Sequence, residues 1–143
     1  MKQGADPEYD QALAMALKML RARNRLSAEV RARCLSKGCN HKKIEAVLYY
    51  LVQKGILKDD SVACDLANSW LAEKGWGPLR IETELCTRGL DPQSAAQVAE
   101  SRDYSQAIQK ALKKQNGKSP EAAKRSLYQL GYPPETFDQF NLE

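Results

Sequence analysis

The sequence has one histidine, two phenylalanines and no long apolar run, and each scarcity removes a class of protein. The longest apolar stretch, Ala46 to Val52, is far short of the ~20 residues a membrane span needs. After Met1 and Lys2 no apolar core follows, so no secretory signal is expected and the expected location is cytoplasmic. His41 alone cannot act as a general base without a nucleophile and an orienting partner, and none stands in a recognisable motif. The phosphate-cradling G-x-x-x-x-G-K-[ST], the dinucleotide G-x-G-x-x-G and the nucleophile elbow G-x-S-x-G are all missing. Four cysteines, Cys34, Cys39, Cys64 and Cys86, contain no C-x-x-C pair. His41 lies two residues past Cys39, but a structural zinc needs four ligands at workable spacing, so no metal and no cofactor are expected. Cys34, Cys64 and Cys86 fall in helical apolar patterns and read as small buried groups. Asp59-Asp60 stands where a helix should begin, and capping of bare N–H groups accounts for it better than acid–base chemistry. No catalytic residue is assigned: the chain reads as a binding protein, not an enzyme.

What is present is ordinary globular material. The chain has 143 residues, 43% apolar and 28% charged. That is one domain's length and too apolar for a disordered chain. Leu13, Leu17 and Leu20 lie at helical steps, as do Val30 and Cys34, then Ile44, Val47, Leu48 and Leu51. Ala63, Leu66, Ala67, Trp70 and Leu71 repeat the stripe; Ile81 and Leu85, then Ala95, Val98 and Ala99, make shorter ones. Alternating β-branched runs are missing, so the fold class is all-α. Ser27, Asp60, Asp91 and Ser119 are candidate N-caps, and Pro78, Pro92 and Pro120 suit first helical positions. Gly38, Gly55, Gly89 and Gly131 follow stripes, where chains leave helices left-handed. The pattern predicts nine helices: 10–23, 27–37, 41–54, 60–74, 78–88, 92–100, 103–115, 120–130 and 134–140.

These nine fall into three groups of three. Val30, Cys34 and Gly38 align with Ile81, Leu85 and Gly89, and with Ala123, Leu127 and Gly131. Upstream, Ala12, Ala16 and Leu20 align with Ala63, Ala67 and Leu71; Tyr104, Ile108 and Leu112 match with one extra loop residue. Three-helix units this small bury their apolar faces poorly alone, so an elongated array of three tandem repeats is expected. The expected divisions are a disordered segment at 1–9, then repeats at 10–58, 59–101 and 102–143. No long heptad pattern runs through the chain, so a monomer is expected.

Charge is uneven along the chain. Residues 1–60 hold twelve Lys/Arg against seven Asp/Glu, residues 61–101 three against six, and residues 102–143 seven against five. Lys18, Arg21, Arg23, Arg25, Arg31, Arg33, Lys37, Lys42 and Lys43 cluster in the first repeat. They form a positive patch suited to phosphates or an acidic protein surface, or else a solvated helix face. Arginine's slight excess there favours bidentate recognition.

The segment Leu20-Arg21-Ala22-Arg23-Asn24-Arg25-Leu26-Ser27-Ala28-Glu29-Val30 resembles the opening signature of the RecX regulatory proteins of bacteria. The resemblance continues through Leu35-Ser36-Lys37-Gly38, Ile44-Glu45-Ala46-Val47-Leu48, Gly55-Ile56-Leu57-Lys58-Asp59-Asp60-Ser61-Val62-Ala63 and Gly77-Pro78-Leu79-Arg80-Ile81-Glu82-Thr83-Glu84-Leu85. Arg88-Gly89-Leu90 closes it. It covers roughly residues 12–100; residues 101–143 follow by repeat logic. The resemblance implies a non-enzymatic regulator that binds the RecA filament on single-stranded DNA. Such a protein mainly inhibits recombination, ATP hydrolysis and co-protease activity, in DNA repair and the SOS response. Val62-Ala63 departs from the family's usual large aromatic before the alanine. Tyr128, Tyr132, Phe137 and Phe140 in the third repeat are read as core and cap contacts.

On this reading Arg21, Arg23, Arg25, Arg31, Lys42 and Lys43 make the polar contacts to the filament or to DNA phosphate. Weak, sequence-indifferent DNA contact is compatible with it; membrane contact is not expected. The alternative is a helix–turn–helix protein acting directly on DNA. Its first helix would start at Ser27, and its reading helix, Asn40 to Lys54, would have His41, Lys42 and Lys43 at its start. Only Asn40 and Gln53 there are amides able to read adenine edges, and Leu48 to Val52 suit burial better than a groove. A helical scaffold for another protein is a third reading.

Overall fold

The computed structural model describes residues 6–136. It contains eight α-helices: α1 (Pro7–Ala22), α2 (Ser27–Ser36), α3 (His41–Gln53), α4 (Asp59–Lys74), α5 (Pro78–Thr87), α6 (Pro92–Glu100), α7 (Ser105–Lys114) and α8 (Pro120–Leu130). No strand occurs among the described residues. The chain is all-α, and its helices match the first eight expected from the apolar spacing. Of the ninth, residues 135 and 136 are helical, with Thr136 buried. Residues 137–140, and with them Phe137 and Phe140, lie outside the described residues.

The first helix begins earlier than its apolar stripe. The Asp6 carboxylate accepts the Tyr9 N–H at 3.1 Å, Pro7 fills the first helical position, and Glu8 and Asp10 sit in the first turn. Asp6 is itself held by Lys43 Nζ at 2.7 Å. Residues 7–9, expected to be disordered, are therefore helical: a cap, a proline and two acids near the positive end of the dipole start the helix, and Tyr9 packs partly against the core.

Asp91 and Ser119 cap α6 and α8 as expected, accepting Ser94 N–H at 3.0 Å and Ala122 N–H at 3.2 Å. Ser27 and Asp60 do not act as caps. Ser27 is already inside α2, where its N–H and hydroxyl donate to Asp59 Oδ1 at 2.7 and 3.0 Å. Glu29 accepts the Leu26 N–H at 3.1 Å, and Asp60 falls in the first turn of α4. A carboxylate 32 residues away is a stronger acceptor for Ser27 than any local group, and sequence spacing cannot reveal it.

The chain forms two compact units, residues 1–62 and 63–143. In the first, α1, α2 and α3 pack mutually around Ala12, Ala16, Val30, Cys34, Ile44, Val47, Leu48, Leu51 and Leu57. In the second, α5 packs on α6, burying Ile81, Leu85, Ala95, Val98 and Ala99. Ile108, Ala111, Leu127 and Tyr132 form a further cluster there.

The aligned positions around the three glycines are equivalent in burial and in hydrogen bonding. Val30, Ile81 and Ala123 are all buried, as are Cys34, Leu85 and Leu127. After each helix the chain turns at a left-handed glycine, with φ of +89° at Gly38, +100° at Gly89 and +103° at Gly131. The next residue donates back to the buried one: Cys39 to Cys34 at 3.0 Å, Leu90 to Leu85 at 3.1 Å and Tyr132 to Leu127 at 3.1 Å. This is the same helix-ending motif three times over.

At the third copy the motif also joins two helices. The Gly77 N–H donates to Leu130 O at 2.7 Å and the Leu79 N–H to Gly131 O at 2.9 Å. The bare donors at the start of α5 thus satisfy the last carbonyls of α8. A Cβ at Gly77 would lie 2.6 Å from Gly131 O, and one at Gly131 would lie 2.5 Å from Arg80 N, so both positions need glycine for closeness.

Candidate functional site

The six basic residues read as contacts do not behave alike. Arg21 stands exposed in the last turn of α1, and Arg23 is exposed where the chain leaves that helix in extended conformation. Arg25, in the connector to α2, is half-buried, and its Nε is enclosed without a hydrogen-bond partner among the described residues. Lys42 is exposed at the start of α3. Arg31 and Lys43 are engaged within the unit. Arg31 makes a two-pronged bridge to Glu45, Nε to Oε2 at 2.6 Å and a terminal nitrogen to Oε1 at 3.2 Å, tying α2 to α3. The guanidinium lowers the Glu45 pKa, and Glu45 in turn raises that of Arg31. Lys43 bridges to Asp6 and lowers its pKa through the hydrogen bond and charge it supplies. Arg21, Arg23 and Lys42 are thus the exposed members of the set, while Arg31 and Lys43 help to assemble the helices that present them.

The remaining basic residues of the cluster frame a groove. Lys18 on α1 and Arg33 and Lys37 at the end of α2 line an open groove of about 640 Å³, floored by Ala14, Met15, Met19 and Ala22. Met15 and Met19 stand off the stripe of Leu13, Leu17 and Leu20 and carried no signal of their own in the sequence; they pack partly against the core.

The groups considered for a reading helix are arranged unfavourably for that role. The Asn40 side chain accepts the N–H groups of Lys42 and Lys43 at 2.9 and 3.2 Å, so capping consumes one of the two candidate amides. His41 is exposed, with Nε2 4.0 Å from Glu45 Oε2. Of the cysteines, Cys34 is buried, and burial pushes its thiol up to about 11; Cys64 and Cys86, expected buried, are half-buried. Among the described residues no three His, Cys, Asp or Glu side chains are grouped to hold a metal ion.

Sequence reasoning also missed an aromatic–cation assembly in the second unit. Trp70 and Trp76 lie 5.3 Å apart between ring centroids. Arg88 covers Trp70 at 5.2 Å, and Arg80 and Lys74 lie over Trp76 at 4.5 and 5.5 Å. The turn at 75–77 brings these residues together, and no fixed spacing announces it. Tyr132, as expected, is core: it is 1% exposed, donates to Gly75 O at 2.9 Å and meets Tyr104 edge-on. Tyr128 is not, being 59% exposed.

The class defined by these features is an all-helical repeat protein whose basic residues concentrate on its first unit. No family model matches the chain. Its sequence is 34% identical over 86 residues to Regulatory protein RecX of Chlorobium limicola, covering 60% of this chain and 54% of that protein. The chain thus spans about half the length of this relative. The fold matches the crystal structure of RecX from Lactobacillus salivarius with a TM-score of 0.85, at 19% identity over 93% of this chain and 94% of that one. A second crystal structure, of regulatory protein RecX, matches with a TM-score of 0.79 at 14% identity, over 95% of this chain and 72% of the other. The fold is that of the RecX structures, and the sequence likeness supports the RecX family that the ordered motifs resemble. No helix among the described residues is long and apolar enough to cross a membrane.

Proposed function

We propose that this chain is a non-enzymatic regulator that binds the RecA filament on single-stranded DNA and mainly inhibits its recombinase, ATPase and co-protease activities. The observation that carries the reading is the coincidence, in one chain, of sequence likeness to a RecX protein with the fold of RecX structures. The exposed cations Arg21, Arg23 and Lys42, with Arg25 beside them, make the polar contacts; Arg31 and Lys43 hold α2 and α1 in place on α3. The chain acts as a monomer, and its three repeats, at 10–58, 59–101 and 102–143, touch successive subunits of the filament. Any contact with DNA itself is weak, salt-sensitive and indifferent to sequence.

The test is hydrolysis of ATP by the cognate RecA on single-stranded DNA, with this protein added well below one copy per RecA. Inhibition at doses that leave bare DNA uncoated supports the filament reading. Inhibition only as the DNA becomes coated favours direct nucleic-acid binding instead. Reversal of Arg21, Arg23 and Lys42 to glutamate should abolish the effect; full inhibition by that variant would remove these residues from the contact surface.

A further inference from the structure

The groove between α1 and α2 is a second binding feature, built from residues outside the six basic contacts. Its floor is apolar and shallow: Ala14 and Ala22 leave the space, and Met15 and Met19 line it with flexible, polarisable chains. Its rim is basic, with Lys18 on one wall and Arg33 and Lys37 on the other, all three exposed. Gln11 to Ala22 spans about three helical turns, roughly 16 Å at 1.5 Å per residue. Two features decide the occupant. An apolar floor with no aromatic ring among its lining residues gives a nucleic acid nothing to stack on. A rim of three cations and no lining carboxylate selects against basic or neutral segments.

We infer that this groove docks an amphipathic helix of about three to four turns, with leucine- or methionine-like residues on one face and glutamates or aspartates flanking it, supplied by a partner protein. The apolar face settles on Met15 and Met19, and the acidic flanks pair with Lys18, Arg33 and Lys37, the helix-in-groove mode of recognition. The inference stands independently of the filament reading, because its test contains no recombinase.

The probe is a fluorescein-labelled synthetic peptide of about sixteen residues, with leucines at helical i, i+3, i+4 and i+7 spacing and glutamates elsewhere, titrated with the full chain by anisotropy. Saturable binding is expected, with none for a scrambled peptide of the same composition. Lys18→Glu/Arg33→Glu should weaken it at least about tenfold, whereas Lys113→Glu, at another exposed cation, on α7, should leave it unchanged. Ala14→Gln fills the floor at an exposed helical position without altering charge, so it should also weaken binding several-fold while circular dichroism stays helical. Absence of saturable binding overturns the inference, as does equal weakening by Lys113→Glu. Tighter binding of an oligothymidylate or of anionic phospholipid vesicles that responds to the charge reversals but ignores Ala14→Gln also overturns it, leaving a general anion surface.

Discussion

Residues 1–60 and 61–101 use their cations differently. In residues 61–101 the three Lys/Arg side chains, Lys74, Arg80 and Arg88, all lie over tryptophan rings. In the first unit Arg31 and Lys43 turn to carboxylates, Arg21, Arg23 and Lys42 stand in solvent, and Lys18, Arg33 and Lys37 edge a groove. The cores differ to match: aliphatic and alanine-rich around α1 to α3, with buried Trp70 and Tyr132 in the second unit. A cation on a ring face stabilises the fold and is poorly placed to meet a partner, whereas one at the rim of an apolar groove is placed for recognition. Of these two stretches, the first is therefore where binding should be sought.

The widest test of that contrast is in the cores. Leu51→Ala and Leu127→Ala each remove a side chain with no exposure, and each should cost about 2–5 kcal/mol in denaturant unfolding. A loss below about 1 kcal/mol in either would deny that unit a packed core. The equivalent glycines should then separate. Gly131→Ala meets both the left-handed penalty and the backbone of Arg80, and should cost about 2 kcal/mol or more. Gly38→Ala meets nothing within 4 Å and should cost only the conformational part, about 1 kcal/mol.

Smaller effects test the cations themselves. A double-mutant cycle between Arg80 and Trp76 should give a coupling of about 0.5–1 kcal/mol that survives high salt better than the Arg31–Glu45 cycle. The latter joins side chains 38% and 41% exposed, so its coupling should stay below about 1 kcal/mol and shrink as salt rises. Equal salt sensitivity would erase the distinction between the units.

The gentlest probe is pH, with opposite signs. Burial raises the Tyr132 pKa from 10.0 to about 12, so its native state holds the proton more tightly than the unfolded chain does. That contribution is fully present below pH 10 and is lost as pH rises towards 12, seen as tyrosinate absorbance rising with loss of near-ultraviolet dichroism. Asp6 is shifted down by Lys43, so its contribution is present above its ordinary value of 3.8 and fades as pH falls through the native one. Amide exchange in the first turn of α1 should quicken there.

Much of the fold was legible because it is written in short-range pattern. The apolar stripes marked eight helices, and the spacing of Val30, Cys34 and Gly38 marked a motif that recurs with the same hydrogen bonds at Gly89 and Gly131. The starts of helices were read less well where a distant group intervened. Ser27 looked like a cap, but its N–H and hydroxyl donate to Asp59, and Asp6 began α1 with help from Lys43. The candidate site was legible as a cluster of cations but not as a surface, since Arg31 and Arg33 look alike in sequence and only one faces Glu45.

By itself, then, the sequence determined the helical class, the left-handed helix ends, the basic first unit and the likeness to RecX proteins. All of these rest on residue type and on spacings within a turn or two. Only the tertiary structure decided which cations are engaged, which methionines floor a groove and which rings meet Lys74, Arg80 and Arg88. Those outcomes depend on side chains from different helices meeting at hydrogen-bonding or stacking distance, and Coulomb and contact energies fall off too steeply for sequence separation to stand in for distance.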